Sequence, residues 1–450
     1  MKLKVAAFWL VIFAALFVFL QEYSKYHFYF IEQIQLFQFT WEYISEKLII
    51  PGGFALALSE FLVQFFILPY AGAAITAGLL VIAGLEIRGI VRRIVPDTNM
   101  FLLYLIPVAL IMFIHFDFNY LVFGTVALDI MLLALYLCVC MSNDKWRIGV
   151  EILLTPILFG LIGAAAFLFS ILVVVYELFN KTPRWYWSLL SCALAVLCGV
   201  CSVYLAALGE YRFAFLPDAY YHTALHPKPV IYYSWISLPV ILVISFGLKR
   251  RLKPVGKKLL IVGGIAQVVM LFLLCWWGVP QYGDKKSIKV KELDYYARTE
   301  QWDKIIEESK GKLTNYLNMC YLNLALAHKG ELADRAFSFD QRGVQGLMVS
   351  WNQTEQISIL LSEITFVMGN SALAQEMAFE AFATSVGEGN PRILKRLVQT
   401  NLIYGEYPVA EKYINVLEKT SCYSSWANGQ RKFLYNDAEV EKDPILGTMR

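Results

Sequence analysis

Apolar runs of membrane length recur through the first 280 residues and then stop. They cover 5–20, 53–69, 72–90, 100–114, 119–140, 148–178, 186–207, 231–248 and 258–279. A helix needs about 20 apolar residues to cross a bilayer, so the pattern predicts a polytopic helix bundle over 1–280. From Lys289 the apolar positions take the i, i+3, i+4 spacing of amphipathic helices. The reading is all-α, with a second helical domain over 281–450.

Charge decides how the runs are threaded. Basic residues gather at Lys2/Lys4, Arg88/Arg92/Arg93, Lys145/Arg147, Lys181/Arg184 and in the KRRLKPVGKK stretch from Lys249 to Lys258. Short loops rich in Lys and Arg stay on the cytoplasmic side. If 53–69 and 72–90 both crossed, the three arginines after them would lie outside. The segment 51–69 opens with Pro51-Gly52-Gly53 and carries Glu60, so it is read as a helix lying along the outer interface. The 31 residues of 148–178 are too long for one untilted span. Two short crossings turning near Gly160–Gly163 keep every basic cluster inside. The expectation is nine spans, with the N-terminus cytoplasmic and 281–450 outside. The start, MKLKVAAFWLVIFAALFVFLQEY, has no small-residue cleavage site after its apolar core and is read as a retained anchor.

The polar half repeats an element. Its pieces are YARTEQWDKIIEE, LAHKGELADRAF, FVMGNSALAQEMAF and LIYGEYPVAEKYI. Each has a turn position, a second residue two later and a third five later: Glu300/Trp302/Ile305, Gly330/Leu332/Arg335, Gly369/Ser371/Ala374 and Gly405/Tyr407/Ala410. The turn positions lie 30, 39 and 36 residues apart. This period and helix–turn–helix shape are similar to tetratricopeptide (TPR) repeats, whose stacked pairs form a concave docking surface for a protein or peptide. Glu300 replaces the turn glycine in the first unit and Arg335 the small residue in the second. The alternative is a helical bundle with no ligand.

Composition agrees with a membrane protein: 58% of the 450 residues are hydrophobic and 17% are charged, against about a quarter charged in soluble domains. A net charge of +3 is too small to imply nucleic acid as a partner. Of the eight cysteines, six lie in apolar runs. Cys320 and Cys422 lie in the polar half, where pairing and free thiols both stay open. Neither a CxxC pair nor a Cys/His ligand set is present, which argues against a zinc ribbon.

The expected topology collects chemistry on the outer face. Four of the five histidines fall there, His27, His115, His222 and His226, with Glu22, Glu32, Asp117, Glu210 and Asp218. Asp218, His222 and His226 recur every four residues, which on a helix places them on one face and would suit a divalent metal. An aromatic, His-rich interfacial belt is the other reading of that segment. Asp129 sits mid-span, as a proton site or as a buried structural partner, with Gln267 available to pair with it. No Lys or Arg lies at similar depth, so no transport path can be built on it.

Two resemblances bear on function. PGGFALALSEFLVQFF and YLNLALAHKGEL resemble an uncharacterised domain-of-unknown-function family of bacterial inner-membrane proteins with a TPR-like tail. That resemblance implies an inner membrane and a periplasmic tail, and no activity. The first 93 residues also resemble GT-C glycosyltransferases. The elements are Glu22 after the first span, Pro51 opening 51–69, and RGIVRR at 88–93. This implies a polyprenyl-phosphate sugar as substrate, with Glu22 and Asp117 as the catalytic acids over an outer cavity roofed by 51–69. Such enzymes usually carry an Asp-containing pair where this chain has a single Glu22. Two function classes therefore stand: a GT-C-like transferase, and a non-catalytic membrane scaffold that recruits partners through its tail.

Overall fold

The structure is a computed structural model that describes residues 2–96, 100–222, 226–251, 257–313, 315–385 and 389–450. Residues 252–256, with Lys253 of the basic stretch, lie outside the described residues, as do 223–225 between His222 and His226. Among the described residues the chain is helical, with no strand and one isolated antiparallel bridge between Tyr120 and Tyr221. It divides into two compact units. The first comprises 1–25, 44–62 and 68–284; the second comprises 26–43, 63–67 and 285–450. The second unit thus takes two short segments from the apolar half of the chain as well as the tail.

The helices of the apolar half are α1 (Lys2–Ile34), α2 (Trp41–Ile49), α3 (Gly53–Val63), α4 (Ala71–Ile94), α5 (Leu102–Ile114), α6 (Phe123–Cys140), α7 (Asp144–Ile162), α8 (Ala165–Asn180), α9 (Leu189–Tyr204), α10 (Tyr211–Phe215), α11 (Val230–Arg251) and α12 (Lys257–Tyr282). Every apolar run of the sequence is helical. Among the described residues six helices are long and apolar enough to cross a membrane by length and composition, whereas Gly53–Ile67, Leu102–Ile114 and Ala165–Asn180 are shorter. The run 148–178 breaks into α7 and α8 at Gly163, which has a φ of +65°.

Packing in the first unit uses small residues where helices meet. The Pro51-Gly52-Gly53 corner lies against that same break: Gly52 N donates to Gly160 O at 2.9 Å. A Cβ on Gly52 would stand 3.1 Å from the Phe123 ring and 3.3 Å from Gly163 N, at a φ of +86°. Only glycine fits such a crossing. Helix α4 packs on α5 and α6, and α11 packs on α5 and α8. By contrast α12 shows an almost wholly apolar surface, with Ile265, Val268, Leu273 and Trp276 all exposed. A helix apolar all round needs a core or a bilayer around it. By length and composition these helices are compatible with a membrane protein.

Two local expectations change. Residues 21–50 are not an open loop. Helix α1 runs on through Glu22 to Ile34, because Ser24, His27, Phe28 and Ile31 recur at helical spacing and all four are buried. At 1.5 Å per residue it is about 50 Å long, well beyond a hydrocarbon core of about 30 Å. Glu60 on α3 is not a lone polar residue: its Oε1 lies 3.2 Å from Lys47 Nζ on α2, and both side chains are buried. A buried carboxylate is tolerated when paired in this way.

The second unit is built from helix pairs. They are α13 (Lys285–Arg298) with α14 (Trp302–Glu308), α15 (Tyr316–His328) with α16 (Leu332–Arg335), α17 (Glu355–Val367) with α18 (Ser371–Thr384), and α19 (Pro391–Ile403) with α20 (Tyr407–Glu418). Two short helices, α21 (Ser424–Gln430) and α22 (Asp437–Lys442), follow. The four turns share one geometry. Glu300, Gly330, Gly369 and Gly405 have φ of +56°, +69°, +78° and +73°. Each gives its N–H to the carbonyl three residues back, and the next residue gives its N–H to the carbonyl five back; Gly330 N–Ala327 O is 3.0 Å and Glu331 N–Leu326 O is 2.8 Å. This double bond closes a helix C-terminus on a left-handed residue. Each second helix then starts at the position two after the turn.

The pairs differ in quality for a physical reason. Ala374 and Ala410 are fully buried and let the paired helices approach, so that Ser362 Oγ reaches Ala374 O at 2.7 Å. Arg335 cannot pack there. It is exposed, and α16 buries no residue and gives way to a 3-10 turn at Ala336–Ser338. Beside the turns, Tyr407 is buried, while Trp302 is half-buried and stacked on His328 at 4.0 Å. All eight cysteines are free thiols; Cys320 is buried and Cys422 exposed.

Candidate functional site

Helix α19 carries an unusual stripe. Arg392, Lys395, Arg396 and Gln399 stand at i, i+3, i+4 and i+7, the spacing that puts side chains on one face. A helix of this kind normally places apolar residues on its inward face. Here the stripe instead lines a cavity of about 480 Å³, within the usual size range of small-ligand pockets. The other walls come from the same unit: Tyr29 and Gln33 near the end of α1, Ile67, Tyr295 and Arg298 on α13, Trp302, His328, Glu363 and Phe366, and Tyr423 and Trp426.

The charges in this cavity are mostly matched. Arg392 Nη1 pairs with Asp294 at 2.6 Å, and its Nε donates to Glu363 at 3.0 Å. Arg396 Nη2 donates to the other Glu363 oxygen at 2.7 Å, and its guanidinium lies 3.5 Å from the centre of the Phe366 ring. Burial would raise the Glu363 carboxyl, but Arg396 and Arg392 outweigh it and hold it down at about 2. Tyr423 Oη donates to Glu32 Oε1 at 2.6 Å and accepts from Gln33 Nε2 at 2.8 Å. Arg298 Nη1 is 3.6 Å from Glu32 Oε2.

Some donors are left over. Arg396 is only 8% exposed, yet its Nε and Nη1 have no hydrogen-bond partner among the described residues, and neither has Arg298 Nε. Lys395 makes no hydrogen bond or ion pair among the described residues; its ammonium sits over the rings of Tyr423 and Trp426, 4.7 and 5.1 Å from their centres. Burial pushes that ammonium down, with Glu32 opposing and Arg298 adding to the effect.

Of the residues singled out from sequence, Glu22, Asp117, Asp218, His222 and His226 lie in the first unit, and His27 and Glu32 in the second. Glu22 is exposed, within α1 rather than in a loop after it. Asp117 is 2% exposed; its Oδ1 accepts from Asn119 N at 3.2 Å and its Oδ2 is 3.9 Å from Lys228 Nζ. The turn around Asp117 meets the segment with Asp218 and His222. Leu121 N donates to Tyr220 O at 3.0 Å, and His222 N to Asn119 O at 3.2 Å. Asp218 Oδ2 accepts from the Tyr232 hydroxyl at 2.6 Å. The helical face expected to unite Asp218, His222 and His226 does not form. Pro217–Tyr220 is a single 3-10 turn and Tyr221 is extended, because the backbone there bonds to 119–121 instead of continuing a helix. His226 is exposed. Among the described residues no three His, Cys, Asp or Glu side chains are grouped to hold a metal ion.

The sequence model of one protein family matches residues 1–450. The chain belongs to DUF6057, a family of unknown function. Comparison with curated proteins and with solved structures finds no match to either. The DUF6057 assignment therefore carries no activity, and function has to be argued from the chain itself.

Sequence reading missed the cation stripe of this DUF6057 chain. The signal was present in PRILKRLVQT: cations at core-facing spacing, interleaved with Ile393, Leu394, Leu397 and Val398, all of which are buried. Sequence reading placed Arg147 in a basic loop cluster, whereas the residue is buried on α7 and bonded through Nη2 to Glu177 Oε2 at 2.9 Å. Asp129 is buried, and neither carboxylate oxygen has a hydrogen-bond partner among the described residues. Gln267 does not supply one, since its Oε1 accepts from Leu102 N at 3.2 Å and its Nε2 donates to Gly263 O at 3.2 Å.

Proposed function

We propose that this chain is a multi-pass inner-membrane scaffold whose second unit, a TPR-like stack outside the membrane, docks a segment of a partner protein. The observation that carries this reading is the cavity lined by α13, α15, α17 and α19 of the helix pairs, with aromatic walls and donors that no described residue satisfies. Superhelical stacks of helix pairs use their concave side for such docking. In this reading α3 lies along the outer interface and the apolar helices hold the unit at the bilayer. A photo-crosslinking residue placed at Gln399, inside the cavity, tests it in living cells that make the protein. The expected result is a discrete adduct absent when the same residue replaces exposed Lys432 and lost with Arg396→Gln. Equal labelling from both positions, or none from Gln399, would count against docking.

A GT-C-like transferase using polyprenyl-phosphate sugars is the second reading. What favours it is the meeting of buried Asp117 with the Asp218–His222 segment, which gathers acids, a histidine and Lys228 in one place. Glu22 and Asp117 would then act as base and acid. Glu22→Gln and Asp117→Asn would abolish sugar transfer while leaving the amount of protein unchanged. Retained transfer in both variants would remove this reading.

A further inference from the structure

The buried polar atoms left without a partner among the residues lining the cavity of the second unit are all donors. Glu363 already accepts from both Arg392 and Arg396, and Glu32 accepts from Tyr423 and faces Arg298. The buried donor atoms left over are Nε and Nη1 of Arg396 and Nε of Arg298, together with the Lys395 ammonium; one exposed carboxylate, Glu300, also lines the cavity. Leaving a buried donor unpaired is costly, more so when it is charged. No described wall residue pairs with these atoms in the structure, where Arg396 is held by Glu363 and by the Phe366 ring and Arg298 faces Glu32. A bound group that brings acceptors and negative charge relieves all of them together. Charge-assisted bonds from Arg to carboxylate or phosphate are among the strongest available.

Aromatic residues make up much of the remaining wall, beside polar Gln33, Thr299, His328 and Gln399. Tyr29, Tyr295, Trp302, Phe366 and Trp426 supply flat faces around the cations. At about 480 Å³ there is room for a ring or a short side chain beside the charged head. A bare inorganic ion would satisfy the donors and leave the aromatic walls without contact.

We propose that this cavity binds an anionic head group, a carboxylate or a phosphate monoester, carried on an aromatic or other apolar body. The proposal rests on the reading of the second unit as a docking module and names what the docked segment presents. The test uses the purified full chain in detergent and isothermal titration with four probes: N-acetyltryptophan, its amide, phenyl phosphate and phenol. Inorganic phosphate alone is the fifth.

The expected result is that N-acetyltryptophan or phenyl phosphate binds about tenfold or more tightly than its neutral counterpart, with affinity falling as salt rises. Which of the two anions binds identifies the head as carboxylate or phosphate. Lys395→Gln removes a cation that holds no ion pair, so the fold is kept, as its helical circular dichroism would confirm; it should weaken the anion about tenfold. Arg396→Gln should weaken it at least as much. Binding of the neutral probes as tightly as the anions, no binding of either anion, or Lys395→Gln without effect would overturn the proposal. Inorganic phosphate binding as tightly as phenyl phosphate would overturn the apolar body. If the Gln399 adduct forms in cells while both anions fail, docking stands and the anionic head falls.

Discussion

Lys47 and Glu60 show how this chain tolerates charge among apolar residues: each is buried, and each is the other's partner. Breaking a buried pair from one side leaves an uncompensated charge and costs about 3–5 kcal/mol. Lys47→Met should therefore lower thermal stability in detergent sharply, and Lys47→Met combined with Glu60→Leu should recover most of the loss. A double variant no better than the single one would mean that Glu60 is held by something else. Glu355 behaves differently. Burial pushes its carboxyl up to about 7, with the Asn390 amide opposing at 3.1 Å. The folded state then keeps a proton that the unfolded chain releases near its ordinary value of 4.5. Stability falls as pH rises between those values, and the full penalty is present above the upper one. Glu355→Gln should raise the Tm at pH 8 relative to the parent, with the difference shrinking toward pH 4. Glu363 has the opposite sign. Held down at about 2, its contribution is present above 4.5 and is lost as the pH falls toward 2. A Glu355→Gln difference that does not vary with pH would contradict this account of its environment.

At the scale of elements, the four turns of the second unit are the most regular feature. A left-handed residue other than glycine costs about 1–2 kcal/mol. Nothing lies within 4 Å of a Cβ added at Gly330 or Gly369, so alanine there changes backbone energy alone. Gly330→Ala and Gly369→Ala should each destabilise by about that amount in chemical denaturation. Glu300→Gly, at the one turn that lacks glycine, should not destabilise. Equal losses in all three would contradict a shared turn geometry. These turns could be read from sequence because a positive φ calls for glycine at a fixed offset from the next helix. The break at Gly163 was legible from a different signal, the length of the 148–178 run and the basic residues that follow it. The run of α1 through Glu22 was hidden by a change of polarity within one helix, where the second half buries His27 and Ile31 in place of facing lipid. The Asp218–His222 segment misled because its spacing is helical while its backbone bonds go to 119–121, a partner about a hundred residues away that no local pattern reveals. The α19 stripe lies between these cases: its periodicity is visible, but its meaning depends on the acids and rings brought to it by other helices.

For the whole molecule, the count of crossings decides what the second unit can meet. Six helices have the length and apolarity of spans. Six crossings would return the chain to the side from which it started. The nine-span reading adds α5, α7 and α8, an odd number, and sends residues 281–450 to the opposite side. Of these, α5 and α8 have 13 and 16 residues, short for a hydrocarbon core of about 30 Å, and α7 has 19 but carries Asp144, Lys145, Arg147 and Glu151. Basic residues favour the larger count, because Lys181 and Arg184 follow α8 and such clusters stay in the cytoplasm. The proposed docking of a partner outside the membrane depends on this parity more than on any single side chain. The most direct measurement is a pair of fusions to a dual reporter, one half active only in the periplasm and the other only in the cytoplasm. One fusion follows Arg450, which leaves both units complete, and the other follows Lys181. The account predicts periplasmic activity at Arg450 and cytoplasmic activity at Lys181; cytoplasmic activity at Arg450 would contradict it.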